Sequence, residues 1–103
     1  MSLLSRLFSS APSVDYKQLM QTGAVILDVR TPEEYRGGHI KGSTNIPVQA
    51  LNASAMAKLK KTTPIITCCA SGMRSASAKS ILLSNGFTEV YNGGPWSSLQ
   101  SKL

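Results

Sequence analysis

The sequence predicts an α/β fold in which a parallel sheet is covered by helices on both faces. Short apolar runs rich in branched residues recur along the chain, and segments with helix-start signals or a helical apolar period stand between them. A strand apolar on both faces suits a parallel sheet buried under crossover helices better than a half-exposed one. The length of 103 residues allows one such core and excludes two. In open α/β sheets ligands bind beyond the carboxyl ends of the strands, so chemistry is to be sought there.

The elements follow in order. Ser13 is placed to cap a helix over Asp15 to Gln21, with Asp15 in its first turn and Gly23 as its stop. Ala24 to Val29 is the first buried strand. Thr31-Pro32-Glu33-Glu34 starts a short helix, with Thr at the cap, Pro at the first position and acids in the first turn; Gly37-Gly38 closes it. A loop from Gly42 leads to a brief strand at Asn45 and Ile46, and Ala50 to Lys60 carries apolar residues 51, 55, 56 and 59 on one helical face. Pro64 to Cys68 is the next buried strand. Ser75 to Ser84 is a helix with Ala78, Ile81 and Leu82 inward and Asn85-Gly86 as its stop. Glu89 to Asn92 is a last strand, Gly93-Gly94-Pro95 a turn, and Trp96 to Lys102 a closing helix.

Composition is that of a soluble globular domain, 42% hydrophobic and 16% charged, which argues against disorder. The twelve residues MSLLSRLFSSAP have a leader-like composition, but Ser5 and Arg6 break the apolar stretch, making it too short for a signal core or membrane span. A tail or short amphipathic helix over 1–12, followed by a single domain over 13–103, is the expected organisation. The formal charge is +6, and no acid occurs between Glu34 and Glu89, an interval holding seven Lys and Arg. Such a field steers small anions or an acidic partner toward that half of the chain. Nucleic-acid binding is disfavoured: no zinc finger, RNP motif or arginine-rich helix is present. The lysines at 58 to 61 read as solvated surface.

Both cysteines stand in TCCASGMRSA, at the end of a buried strand. Adjacent cysteines strain a mutual disulfide, and with His39 as the one histidine no four-ligand zinc site is available, so a reducing, cytoplasmic compartment is expected. Strand alternation turns Cys68 and Cys69 in opposite directions. Cys68 reads as a buried small hydrophobe. Cys69 opens a turn, Ala70-Ser71-Gly72-Met73, whose small residues let backbone N–H groups converge, ahead of a helix whose positive end points the same way. Cysteines so placed beside cations have their pKa lowered from about 8.5 to between roughly 3.5 and 7.5. Cys69 is thereby an activated nucleophile without a histidine base, and Arg74 is placed to hold a negatively charged substrate oxygen.

LDVRTPEEYRGGHIKGSTNIP (Leu27 to Pro47), with CCASGMRSASAKSILLSNGF and VYNGGPWS (Cys68 to Ser97), resembles the rhodanese-like domains, including the single-domain sulfurtransferases. The resemblance covers Val25 to Leu99. It implies a small domain with about five short parallel strands, in which Cys69 accepts a sulfane sulfur as a persulfide and passes it to cyanide or a thiol. It further implies a persulfide-binding loop of Ala70, Ser71, Gly72, Met73 and Arg74, possible support from Asp28 and Arg30 (a pair that more often braces structure in the family), and neither metal nor organic cofactor. From Cys69 to Arg74 there are six residues, C-x4-R, where phosphatases of related fold use C-x5-R. One residue adds about 3.3 to 3.6 Å of chain, so the shorter loop suits a sulfur atom rather than a tetrahedral phosphate. The expected function is transfer of sulfur from thiosulfate or a persulfide donor to a thiol, a protein acceptor or cyanide. A phosphatase or arsenate reductase, and a non-catalytic binding module, are the alternatives. Glu34 reads as a surface or bracing residue, His39 as architectural rather than a base, and Trp96 as packing under the last helix.

Overall fold

A computed structural model describes residues 13–103; the expected tail or helix over 1–12 lies outside the described residues. In chain order the elements are α1 (Tyr16–Gln21), β1 (Val25–Asp28), α2 (Pro32–Arg36), β2 (Thr44–Asn45), a 3-10 turn (Val48–Ala50), α3 (Ala53–Met56), β3 (Ile65–Cys69), α4 (Met73–Ser84), β4 (Val90–Pro95) and α5 (Trp96–Gln100). The strands pair in parallel in the order β2-β1-β3-β4. Among the described residues there are four, against the five or so expected. No helix among these residues is long and apolar enough to cross a membrane.

The order explains the apolar runs. β1 and β3 are central, hydrogen-bonded on both edges and packed on both faces, so both faces must be apolar. Leu27, Ile65 and Cys69 face one core with Leu51, just after the 3-10 turn, Met56 of α3, and Ala78 and Leu82 of α4. Ile26, Ile66 and Cys68 face the other, under Tyr16 and Leu19 of α1 and Leu99 of α5. The two cysteines therefore belong to opposite cores, as alternation requires.

Local chemistry moved several boundaries. Asp15, not Ser13, caps α1, accepting from the Gln18 N–H at 3.0 Å. Thr31 and Glu34 form a full capping box at α2. The helix expected over Ala50 to Lys60 splits, because the Asn52 side chain accepts the Ala55 N–H at 2.9 Å and restarts the chain as α3. Gly93-Gly94-Pro95, read as a turn, continues β4 instead: Thr67 lies opposite Asn92 but Cys69 opposite Pro95, so β4 carries one extra residue there. Gly93 makes this close approach possible. A Cβ on it would lie 2.9 Å from both Thr67 O and Leu99 Cδ2, and 3.0 Å from Ile66 Cγ2. Gly93→Ala is expected to cost about 1–3 kcal/mol through overpacking, read as a lower urea midpoint; an unchanged midpoint would mean that β4 shifts freely.

Candidate active site

β3 delivers Cys69 to the carboxyl end of the sheet, and the chain turns sharply there through Gly72, whose φ of +100° suits glycine. Gly72 is the N-cap of α4 and has no side chain to receive the free N–H groups of the first turn. The Cys69 sulfur receives them: Gly72 N–H donates to Sγ at 2.9 Å and Ser75 N–H at 3.3 Å. The Cys69 thiol also lies 3.4 Å from Ser75 Oγ, to which it donates. α4 begins at Met73, two residues earlier than the apolar pattern indicated, and this is what places Ser75 in the first turn with its N–H on the sulfur.

Burial by itself raises the Cys69 thiol, but the Ser75 hydroxyl and the N–H groups of Ser75, Gly72 and Ser71 outweigh it, leaving the group below its ordinary value. Cys68 goes the other way. Burial, with smaller repulsion from Asp28 and Cys69 that Arg30 partly opposes, pushes it up to about 12. The surroundings thus push two adjacent thiols in opposite directions.

Ala70, Ser71 and Met73 are exposed at the mouth, Met73 most of all at 78%. Arg74, expected to be placed for a negatively charged substrate oxygen, is paired within the protein with Glu34. Its two terminal nitrogens donate to both Glu34 oxygens, at 2.7 and 3.0 Å, because the capping box at α2 holds that carboxylate facing α4. Asp28 and Arg30 form a buried ion pair, with Arg30 Nη2 on Asp28 Oδ2 at 2.7 Å, Nε bonded to both carboxylate oxygens, and the backbone N–H of Arg30 on Oδ1 at 3.1 Å. The same guanidinium donates to Gly38 O at 2.8 Å and Glu34 O at 3.3 Å, and lies 4.8 Å from the Trp96 ring centroid. These residues brace α2 and the following loop against the sheet. Asn45 adds to this, its side-chain amide donating to Asp28 O and Arg30 O, each at 2.9 Å. His39 stacks on Tyr35 and bonds Tyr35 O through Nδ1 at 2.7 Å, with no hydrogen bond to Cys69 among the described residues.

Ser75 and Asn92 were missed by sequence reasoning. Ser75 stood outside the six-residue loop, and a helix start at Met73 was the signal that would have included it. Asn92 comes from β4, distant in sequence, and reaches the site only through sheet pairing: its Oδ1 accepts from Ser75 Oγ at 2.6 Å. Among the described residues no cluster of three His, Cys, Asp or Glu is arranged to hold a metal ion.

The Arg74 partner lowers the Glu34 carboxyl from 4.5 to about 2, helped by the Thr31 N–H and hydroxyl. Its contribution to stability is expected to be fully present above pH 4.5 and to fade as pH falls toward 2. Thermal unfolding of the protein and of Glu34→Gln across that window checks this: the difference between them should shrink on acidification.

The family model described as Rhodanese-like domain matches residues 13–94. The chain is 39% identical over 69 residues to YqhL of Bacillus subtilis (strain 168), the match covering 67% of this chain and 54% of that protein, so the chain spans about half of YqhL's length. It is 36% identical over 86 residues to the thiosulfate sulfurtransferase GlpE of Stutzerimonas stutzeri (strain A1501), covering 82% of this chain and 77% of GlpE. Among solved structures it is similar to a rhodanese with anions from E. coli, with TM-score 0.69 and 31% identity over 74% of this chain and 91% of that one.

Proposed function

The chain belongs to the rhodanese-like domain family, and from that premise we propose that it is a sulfurtransferase carrying sulfane sulfur as a persulfide on Cys69. One observation supports this most: a buried sulfur at the strand end that opens a six-residue loop to Arg74 and is held by the N–H groups of Gly72 in that loop and Ser75 just after it. The sulfurtransferase name carried by GlpE points the same way.

The thiolate attacks the outer sulfur of thiosulfate; the new S–S bond forms as the old one breaks, and the electron pair leaves with sulfite. A persulfide donor reacts alike and releases its thiolate. The terminal sulfur of the Cys69 persulfide then carries the negative charge, and the backbone N–H groups of the turn Ala70-Ser71-Gly72-Met73 are the donors available to stabilise it. A cyanide or thiolate acceptor attacks that sulfur, the Cys69 thiolate departs, and the enzyme is restored. Charge and electrons balance at each transfer, and the cycle calls on no metal or organic cofactor.

Arg74 takes a supporting part in this scheme. With both arms on Glu34 it locks the first turn of α4, and with it the Ser75 N–H, against α2. Asp28 and Arg30 support α2 in turn. Thiosulfate or another small sulfur donor, a thiol or protein acceptor and a reducing, cytoplasmic setting complete the reading. Incubation with thiosulfate or a low-molecular-weight persulfide, followed by intact-protein mass spectrometry, is expected to show one added sulfur atom that cyanide removes. No adduct from either donor would overturn the proposal.

A further inference from the structure

We propose that Asn92 is a positioning residue for Cys69, its Oδ1 competing with the Cys69 sulfur for the single proton of the Ser75 hydroxyl. The inference rests on Cys69 being the reactive thiol. Ser75 Oγ lies 2.6 Å from Asn92 Oδ1, 3.0 Å from Gly72 O and 3.4 Å from Cys69 Sγ. A serine hydroxyl has one proton to give to these three. The second partner of Asn92 settles which way its amide faces: the Gly94 N–H donates to the same Oδ1 at 2.9 Å, so oxygen and not nitrogen points inward. Oδ1 has no proton to offer, and at 2.6 Å it is the nearest acceptor for that of Ser75.

In the thiol state the protons run in one direction, from Cys69 Sγ to Ser75 Oγ to Asn92 Oδ1. Ser75 is fully buried, so water does not replace either partner from its side. When Cys69 ionises, the Ser75 lone pairs would face an anion. The hydroxyl proton then turns to the sulfur, joining the Gly72 and Ser75 N–H groups, and Asn92, an exposed residue, keeps the Gly94 N–H. What Ser75 contributes to the thiolate is therefore net of the bond it gives up to Asn92. The arrangement sits where β4 carries its extra residue, and there the Gly94 N–H folds back onto the Asn92 side chain.

The charged group coupled to Cys69 is Arg74 of α4, held by Glu34 of α2, while the Asp28–Arg30 pair at the end of β1 lies against Cys68. From β4 the titratable group is Tyr91, bonded to Glu89 at 2.6 Å. Among the described residues none of these shares a hydrogen bond with the Ser75 or Asn92 side chain.

The test is the apparent pKa of Cys69, from the pH dependence of iodoacetamide alkylation read on the Cys69 peptide. Asn92→Ala removes the nearer competitor, leaving Gly72 O at 3.0 Å, and is expected to lower that pKa by about half a unit to one unit, the scale of one hydrogen bond changing partner. Asn92→Asp keeps the shape, strengthens the competitor and is expected to raise it. Simple loosening of the turn would move both variants in the same direction. With Ser75→Ala already in place, Asn92→Ala should have no effect. A rise or no change in Asn92→Ala, or an equal shift without the Ser75 hydroxyl, would overturn the proposal. If the alanine variant fails to fold, the rise in Asn92→Asp must shrink when Ser75 is alanine; an undiminished rise also overturns it. Alkylation needs no sulfur donor, so this outcome is separable from success or failure of sulfur transfer.

Discussion

Cys69→Ser is expected to bring persulfide formation and sulfur transfer down by at least roughly 10^3-fold, the scale on which loss of a covalent nucleophile acts. A serine oxygen fits the same N–H groups of Gly72 and Ser75, so the fold should survive and the defect should be chemical. It neither ionises near neutral pH nor carries a sulfane sulfur. Cys68 does not rescue the variant: at a pKa of about 12 it is about 10^5-fold less thiolate than thiol at pH 7, and it faces the opposite core. The measurement is sulfite release from thiosulfate with cyanide as acceptor, alongside thermal unfolding. Full activity in Cys69→Ser would sink the assignment, whereas Cys68→Ala is expected to retain transfer.

Asp28→Ala is expected to be the most destabilising single change in the bracing network, by about 3–5 kcal/mol, because it leaves the Arg30 guanidinium buried without its counter-charge. Asp28 is 0% exposed and Arg30 4%. With a domain stability of about 5–15 kcal/mol, that loss brings the protein close to unfolding. Arginine is not deprotonated in proteins, so Arg30 does not escape by losing its proton once Asp28 is gone. Asp28→Ala combined with Arg30→Met should lose less than Asp28→Ala alone, since an apolar pair leaves no orphaned charge. Urea unfolding of the two variants separates these cases. A loss under about 1 kcal/mol in Asp28→Ala would show that water reaches the pair.

The elements whose signals are local were legible in the sequence. Thr31-Pro32-Glu33-Glu34 reads as a helix start because capping is settled within four residues, and the structure has the full capping box there. Ile65 and Ile66 read as a doubly buried strand because a central parallel strand has no polar face. Less legible was the chain from Ala50 to Lys60, where an apolar period suggested one helix and the Asn52 side chain divided it. Gly93 to Pro95 carries turn-forming residues, yet the glycine there answers to close packing on Thr67 and Leu99.

The same division runs through the site. The sequence alone determined that Cys68 and Cys69 face opposite cores and that Cys69 opens a six-residue loop at a strand end, because alternation and loop length depend only on neighbours along the chain. Tertiary structure alone decided that Arg74 is engaged by Glu34, 40 residues away, and that Asn92 shares the Ser75 proton from 17 residues away. A charge or a hydroxyl is written in the sequence as a capacity to bond, but its partner is whatever polar atom the packing brings within about 3 Å. In this chain, pairing of β3 with β4 and the docking of α2 against α4 made those choices.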